Sequence, residues 1–343
     1  MDSPDVDPCT LYLGTGNGLV VARLAGETLA VIHRGIEGNA VRDVAVHPDD
    51  PADAFVGCGL RGWGLYHTKD AGKTVESLGF EDQWVWGVTR DPTDPDRVYV
   101  GTEPPTLSVS DDGGETFEAF AGIDELPSRD RWTFFHEPFE AGHVHGIAIH
   151  PDRPERIVAG VEHGALVRSV DGGETWDERL VGHDLHRIAF HPDDPDVVAA
   201  AAGDGLHTSR DGGNSWESVD PLHGKYLHAI VFDPSAPERM YVYADRKGAP
   251  VYASEDGGER WELVGEGLPA AKPADTLRLH PTDPETLLYV GDVDEGESRL
   301  FASPDRGQSW TPVGETFEKT WRLEVAPPID SPELELPADR TKQ

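Results

Sequence analysis

The chain has 343 residues, and its 64 acidic and 29 basic side chains leave a formal net charge of −35. A nucleic-acid-binding surface and a surface that docks on anionic membranes both need clustered basic residues, so this balance argues against both classes of partner. Hydrophobic residues make up 37% of the chain, with 9 Trp and 11 Phe, which is enough for a folded core.

The first residues of the chain bear on its compartment. Residues 1–8 contain neither the basic nor the apolar segment of a signal peptide, and no run of 18 apolar residues follows. Cys9 and Cys58 are too few for a disulfide framework and form no CxxC motif. Only seven basic residues are lysines, and acid-rich, lysine-poor chains are typical of cytoplasmic proteins of salt-accumulating halophiles, where molar salt shortens the Debye length to about 3 Å. We expect a cytoplasmic monomer with disorder at residues 1–9; a cationic partner is the alternative explanation of the charge.

Units of four strands recur along the chain. Segments 10–14, 18–24 and 28–33 predict three strands of a unit that lacks its first strand. In each later unit an apolar segment ending in a His-Pro or Asp-Pro turn predicts the first strand, and three further strands follow. These six segments are 41–50, 85–94, 144–153, 185–194, 227–236 and 274–283. Segment 320–326 (TWRLEVA) predicts one more lone first strand.

A repeated motif precedes the fourth strand of each of the six later units: Ser or Thr, any residue, Asp, any residue, Gly, two further residues and a large side chain. The Asp can accept backbone N–H groups of its own turn, and the Gly supplies the positive φ that the turn needs. The six copies are 68–75 (TKDAGKTV), 110–117 (SDDGGETF), 169–176 (SVDGGETW), 209–216 (SRDGGNSW), 254–261 (SEDGGERW) and 303–310 (SPDRGQSW). Their aspartates are 42, 59, 40, 45 and 49 residues apart, and periods of about 40–50 residues indicate propeller blades.

This motif resembles the Asp-box, or BNR, repeat of the sialidase-like β-propeller families, over about residues 11–325. The resemblance implies an all-β fold, and we predict one seven-bladed β-propeller of four-stranded antiparallel blades at residues 10–326. Pairing of the N-terminal strands with the C-terminal strand at 320–326 would close the seventh blade and remove exposed sheet edges. Six blades are the alternative. Residues 327–343 are rich in Pro and charge and are expected to form a flexible tail.

The widest spacing locates an insertion at residues 121–142, between the second and third repeats. A loop of this length in a compact domain is usually functional or disordered. We expect it to be a lid over the mouth of the central channel, and a plug that fills the channel is the alternative. Its aromatic and basic residues are Arg129, Arg131, Trp132, Phe134, Phe135 and His136.

The innermost strand of each blade begins at the mouth of the channel, so aligned positions there predict a site. Five residues before the turn, the column is Arg42, Trp86, His145, His186, His228, Asp275 and Trp321. Two positions earlier lie Trp84, His143, Asp184 and Tyr226. Three neutral imidazoles can hold a divalent transition metal with an open position, so His145, His186 and His228 are predicted ligands, with His143 or Asp275 in support. A metal-free polar binding mouth and ordinary packing are the alternatives.

Carboxylates at the same mouth could supply acid–base chemistry. Glu103 and Glu162 each lie nine residues before their Asp-box aspartate, so they would face one channel like the acid and base of a glycosidase. We predict Glu103, Glu162 and Asp275 as catalytic residues, although 64 acidic residues place carboxylates on any loop. The predicted ligand-binding residues are Arg42, Trp86, His143, Tyr226, Trp321, Arg131 and Trp132.

The resemblance does not extend to sialidase activity. Sialidases use an arginine triad, for which the candidates here are Arg42, Arg187 and Arg322, with Tyr226 in the nucleophile pair. Only Arg42 falls in the column, because alternate residues of a strand face opposite sides, and the FRIP-type motif is absent. We therefore predict a propeller that binds a small polar or glycan-type ligand, as a histidine-based metal-dependent hydrolase or lyase. The alternative is a non-enzymatic module that recognises a protein or glycan, as in the sortilin-like and photosystem assembly-factor members of this repeat superfamily.

Overall fold

The computed structural model describes residues 6–134, 137–139, 141–245, 248, 250–271 and 274–329. Its strands form seven four-stranded antiparallel sheets arranged as a β-propeller, which confirms the predicted fold class. The predicted tail beyond residue 329 and residues 1–5 lie outside the described residues. Val6 and Cys9, predicted in a disordered end, are both buried, and the first strand begins at Cys9.

The strands follow the repeat. The chain first forms β1 (Cys9–Thr15), β2 (Gly18–Ala25) and β3 (Thr28–Gly35). Blade 1 contains β4 (Val41–Val46), β5 (Ala54–Cys58), β6 (Leu65–Thr68) and β7 (Glu76–Ser77). Blade 2 contains β8 (Trp84–Arg90), β9 (Val98–Glu103), β10 (Leu107–Ser110) and β11 (Glu118–Ala119). Blade 3 contains β12 (His143–His150), β13 (Arg153–Glu162), β14 (Leu166–Ser169) and β15 (Asp177–Arg179).

The second half of the chain continues the pattern. Blade 4 contains β16 (Leu185–His191), β17 (Asp194–Ala202), β18 (Gly205–Ser209) and β19 (Glu217–Ser218). Blade 5 contains β20 (Leu227–Phe232), β21 (Met240–Ala244), β22 (Val251–Ser254) and β23 (Glu262–Leu263). Blade 6 contains β24 (Leu277–Leu279), β25 (Leu287–Asp294), β26 (Glu297–Ser303) and β27 (Thr311–Glu318). Short 3₁₀ helices span Ala121–Ile123, Arg129–Arg131 and Asp220–Leu222.

The last strand, β28 (Thr320–Ala326), closes the ring as predicted. It pairs antiparallel with β1, from Thr10 opposite Ala326 to Thr15 opposite Thr320, so blade 7 has the order β28-β1-β2-β3. The innermost strand of this blade therefore comes from the opposite end of the chain from the other three. Among the described residues, no helix has the length and apolar character needed to span a bilayer.

The Asp-box turns join the third and fourth strands of blades 1 to 6. In blade 2, Asp112 accepts bonds from the Thr116 backbone N–H at 2.9 Å and from the Thr116 and Ser110 hydroxyls at 2.6 and 2.7 Å. Where the motif ends in Trp, the indole packs between neighbouring blades; Trp176, for example, packs against the cluster that contains Tyr99 and Val167. Each motif thus fixes its own turn and contributes to the packing between blades.

Candidate functional site

The starts of the innermost strands enclose a central pocket of about 210 Å³. All seven residues of the predicted column line it, because each lies at the same level of its own blade. Leu60, Phe134, Phe139, Glu162, Tyr226 and Ala274 complete the lining among the described residues. The propeller geometry therefore brings together side chains that are as many as 279 positions apart, from Arg42 to Trp321.

Arg42 lies between two indole rings in this pocket. Its guanidinium carbon lies 4.3 Å from the ring centroid of Trp86 and 4.5 Å from that of Trp321. Arg42 is 8% exposed, and its Nε and Nη1 atoms have no hydrogen-bond partner. Burial lowers the pKa of Arg42 to about 10, so the group is still a cation at neutral pH. Among the described residues, no carboxylate forms an ion pair with this buried positive charge, although Glu162 and Asp43 offset part of the effect of burial on its pKa.

His143 connects the two glutamates predicted as an acid–base pair. Its Nδ1 lies 3.3 Å from Glu103 Oε2, its Nε2 lies 2.7 Å from Glu162 Oε2, and its ring stacks on Trp86. Burial lowers the pKa of His143, but the attraction of Glu162 and Glu103 outweighs this effect and raises it. Burial likewise raises the pKa of Glu162, but His143, His186 and His145 together hold it well below its usual range.

This arrangement defines the surroundings of the predicted acid–base pair, and the catalytic roles of Glu103, Glu162 and Asp275 stay predictions. Glu162 lines the pocket as a carboxylate and not as a protonated acid, whereas Glu103 and His143 lie behind the lining. The sequence could place both glutamates at the mouth, but it could not show that an imidazole lies between them. A glycosidase pair needs one carboxyl held as an acid, and Glu162 does not supply it.

Asp275 lines the pocket but belongs to a buried ion network. It accepts bonds of 2.6 and 2.9 Å from Arg278, another from Arg322, and lies 3.6 Å from Arg187. Burial raises the pKa of Asp275, but these three guanidinium groups hold it well below its usual range. Asp275 is therefore an ionised anchor, not the proton donor that a catalytic acid requires. Arg187 and Arg322 lie outside the lining of the pocket, as their positions in the strands predict.

The predicted metal ligands surround the pocket without converging on one point. The ring centroids of His145 and His186 are 6.4 Å apart, and those of His186 and His228 are 4.9 Å apart. Among the described residues, two other sets bring their ligand atoms within 4.8 Å of one another: Glu162 with His163 and Asp184, and His183 with Asp204 and His207. The three-histidine metal site stays a prediction.

The imidazoles also differ in charge. Burial, followed by the repulsion of His186, lowers the pKa of His228 to about 3. Burial holds the pKa of His145 well below its usual value despite the nearby Glu162. Both rings are neutral at pH 7, so each offers the pocket one donor or one acceptor.

The insertion at residues 121–142 divides into two parts. Trp132 is buried between blades 2 and 3, where its indole N–H donates to Ser128 Oγ at 2.7 Å, and Arg131 is exposed away from the pocket. The prediction that Trp132 and Arg131 bind ligand therefore does not fit their positions, since the Trp132 ring fills the gap between two blades and Arg131 faces solvent. Phe134 and Phe139 do line the pocket, as expected of a segment that crosses the mouth. Phe135 and His136 lie outside the described residues.

Aromatic side chains also form the rim of the mouth. Tyr226 is 40% exposed and donates its hydroxyl to Asp184 Oδ2 at 2.6 Å. Trp63 is 46% exposed and packs on Trp84, with ring centroids 5.5 Å apart. The site therefore combines a charged interior with exposed aromatic faces at its entrance.

Comparisons with known proteins agree with this architecture. The profile of the sortilin family (Sortilin-Vps10; sortilin, neurotensin receptor 3) matches residues 204–334. A probable oligoxyloglucan-reducing end-specific xyloglucanase of Neosartorya fischeri is 27% identical over 300 residues, covering 70% of this chain and 36% of that protein. The chain thus spans little more than a third of the length of this relative.

Two solved structures have a similar fold. An ancestral GH74 enzyme matches with a TM-score of 0.59 and 16% identity, over 85% of this chain and 38% of that one. YCF48 bound to D1 peptide matches with a TM-score of 0.57 and 18% identity, over 90% and 86% of the two chains. At this level of identity the similarity establishes a shared propeller fold. The chain is thus a β-propeller with sequence relatives among xyloglucanases.

Proposed function

We propose that this protein binds a small acidic, sugar-type ligand in the central pocket and that Arg42 holds the carboxylate of that ligand. The observation that carries this proposal is the buried guanidinium of Arg42 between Trp86 and Trp321, two of whose nitrogens have no partner. An unpaired buried charge is costly, and a chain with 35 more acidic than basic residues has many carboxylates available to pair it. A buried guanidinium that none of these carboxylates pairs is therefore suited to bind an anionic ligand.

The neighbouring groups favour the same kind of ligand. The indole N–H groups of Trp86 and Trp321 also lack acceptors, and an indole N–H can only donate. Together with Arg42, whose guanidinium contacts both rings, they form a group of unsatisfied donors that belong to three residues lining the pocket. Such a group matches the oxygens of a carboxylate, to which guanidinium can bind with two parallel hydrogen bonds.

Charge and size restrict the ligand further. Glu162 and Asp275 line the same pocket as anions, so a dianionic phosphate would meet more repulsion than a singly charged carboxylate. A cavity of about 210 Å³ is smaller than the roughly 300–1,000 Å³ of pockets for drug-sized molecules. Glu162, His145 and His228 offer partners for hydroxyl groups, which favours a single acidic sugar such as a hexuronate.

Calorimetric titration with D-galacturonate and with neutral D-galactose tests this proposal. We expect galacturonate to bind at one site per chain and galactose to bind much more weakly. In Arg42→Met the affinity for galacturonate should fall by about 100-fold, because the carboxylate loses its charged partner. Arg153→Met removes an exposed arginine elsewhere on the surface and is the matched control. Equal affinity for the two sugars, or equal losses in the two variants, would refute the proposal.

A second candidate is a non-enzymatic module that binds the free carboxyl end of a peptide. The exposed rings of Trp63 and Tyr226 at the rim favour it, since aromatic side chains are common at binding surfaces, and the similar structure of YCF48 was solved with a peptide. Titration with trialanine and with its C-terminal amide separates the two candidates. Tighter binding of trialanine than of galacturonate, lost on amidation, would favour the peptide. The predicted hydrolase or lyase activity is tested in the same samples by searching for products of a galacturonate disaccharide.

A further inference from the structure

A second cluster of side chains lies where blades 3 and 4 meet at the mouth. It consists of Glu162 at the end of β13, His163 in the turn that follows, Asp184 just before β16, and His186 in β16. We call these four residues the blade 3/4 cluster. Glu162 and His186 line the central pocket, whereas His163 and Asp184 do not, and a metal ion in the cluster does not require that Arg42 binds a ligand.

The ligand atoms of this cluster approach one another closely. His186 Nε2 lies 3.3 Å from Asp184 Oδ1 and 4.0 Å from Glu162 Oε1, and His163 Nε2 lies 3.8 Å from Asp184 Oδ1. In a tetrahedral metal site with bonds of about 2.1 Å, ligand atoms lie about 3.4 Å apart. These three separations exceed that value by at most about 0.6 Å or fall just below it, and the ligand atoms of Glu162, His163 and Asp184 all lie within 4.8 Å of one another.

Two of these atoms are buried without hydrogen bonds. His186 is 3% exposed, and both its Nε2 and Asp184 Oδ1 lack a hydrogen-bond partner, although they lie within hydrogen-bonding distance of each other. Both atoms are therefore left unsatisfied by the described residues. A cation bound by both of them would satisfy them.

Three of the four side chains also contact a partner outside the cluster through their second polar atom. Glu162 Oε2 bonds to His143 at 2.7 Å, Asp184 Oδ2 accepts the Tyr226 hydroxyl at 2.6 Å, and His186 Nδ1 lies 2.6 Å from the Leu227 carbonyl oxygen. The Leu227 contact assigns a proton to Nδ1, so Nε2 is the nitrogen of His186 that can bind a metal ion once it carries no proton. Metal ligands are typically oriented by outer partners of these kinds.

From this geometry we infer that the blade 3/4 cluster is a binding site for a divalent first-row transition metal such as Zn²⁺. Two imidazoles with two carboxylates suit ions of the Zn²⁺, Fe²⁺ and Mn²⁺ class better than Ca²⁺, which prefers oxygen ligands alone. Of the three histidines predicted from the sequence as metal ligands, only His186 belongs to this cluster. Glu162, His163 and Asp184 take the places of His145 and His228. Since Glu162 and His186 also line the pocket, the ion lies at its wall.

Metal content and Co²⁺ spectroscopy test this inference without any ligand or activity. Full-length protein is stripped with EDTA, dialysed against Zn²⁺, and its bound zinc is measured by mass spectrometry; Co²⁺ loading is followed by visible absorption. We expect one ion per chain with tetrahedral-type Co²⁺ bands. Asp184→Ala and His163→Ala should lower the affinity by at least about 100-fold, and Tyr226→Phe, which removes only an outer partner, by about 10-fold.

A control variant separates this site from the other cluster of potential ligands. Asp204→Ala disrupts the set of His183, Asp204 and His207 and should leave the bound zinc unchanged. Because the side chain of His163 is one-third exposed, His163→Ala should fold even if Asp184→Ala does not, and circular dichroism checks both. Absence of bound metal, zinc retained in folded His163→Ala, or zinc lost only in Asp204→Ala would each overturn the inference. Arg42→Met should keep its zinc, so failure of the ligand proposal would leave this result intact.

Discussion

The Asp-box turns and the channel mouth lie at opposite ends of the same blades, since the strands are antiparallel and the turn after the third strand is remote from the start of the first. The turns repeat one chemical arrangement, in which Asp112 and its counterparts accept bonds from their own Ser or Thr neighbours. The mouth uses one structural position for Arg42, Trp86, three histidines, Asp275 and Trp321, and several of their polar atoms lack partners. The framework thus repeats one turn whose hydrogen bonds are made. The site has different kinds of side chain at its equivalent positions, and several of their polar atoms lack hydrogen-bond partners.

The largest effect should come from the buried ion network beside the mouth, where framework and site overlap. Asp275→Asn would leave Arg278, Arg322 and Arg187 without their shared carboxylate. Removing one partner from such a network typically costs about 3–5 kcal/mol of unfolding free energy, which urea denaturation would measure. A loss below about 1 kcal/mol would show that the network is not structural.

Arg42→Met, unlike Asp275→Asn, should change ligand binding much more than the unfolding free energy. Two of the three guanidinium nitrogens, Nε and Nη1, have no hydrogen-bond partner to lose among the described residues, and methionine can keep contact with Trp86 and Trp321. We expect the unfolding free energy to stay the same or to rise by about 1 kcal/mol, while ligand binding is lost. Urea denaturation beside the titrations measures both, and a strongly destabilised variant would place Arg42 in the framework.

Two adjacent glycines of one Asp-box turn allow a finer test. Both Gly113 and Gly114 have positive φ, but an added Cβ at Gly114 would lie 2.9 Å from Leu78 and 3.0 Å from Phe55. At Gly113 the nearest atom, Asp96 Oδ1, would lie 3.9 Å away, which is an ordinary contact. Gly113→Ala should cost about 1 kcal/mol for the left-handed conformation alone. Gly114→Ala should cost about 3 kcal/mol because overpacking is added. Neither variant should change ligand binding, and equal costs in denaturation would contradict this account of the turn.

The smallest effect concerns the charge of an Asp-box turn. Hydrogen bonds from Thr116 and then Ser110 lower the pKa of Asp112 to about 2. A lowered pKa in the folded state stabilises the fold above pH of about 4, and this contribution is lost as the pH falls toward 2. The difference in Tm between the parent protein and Asp112→Asn should therefore shrink over that range. Glu115→Gln, which removes a neighbouring exposed charge, is the control, and a difference independent of pH would contradict this explanation.

The fold could be predicted from the sequence because the repeated segments mark the strands of the successive blades. The spacing of the repeated motif predicted the blades. The incomplete units at the two ends of the repeat predicted that β28 pairs with β1. The column of mouth residues followed from the same alignment, and all seven members do line the pocket.

The partners of those residues could not be predicted from the sequence. These contacts join residues of different blades. Asp275 pairs with Arg322 of blade 7. His143 lies between Glu103 of blade 2 and Glu162 of blade 3. Trp132 was misplaced for a similar reason, since nothing in the insertion shows which aromatic rings enter the gap between blades. Alignment fixes the level of a residue in the propeller but not the rotamers that decide its contacts.

A crystal structure of the protein soaked with D-galacturonate tests the central claim most directly. The account expects the sugar in the central pocket, with its carboxylate within hydrogen-bonding distance of the Arg42 guanidinium, between Trp86 and Trp321. A sugar bound elsewhere, or one whose carboxylate points away from Arg42, would contradict it.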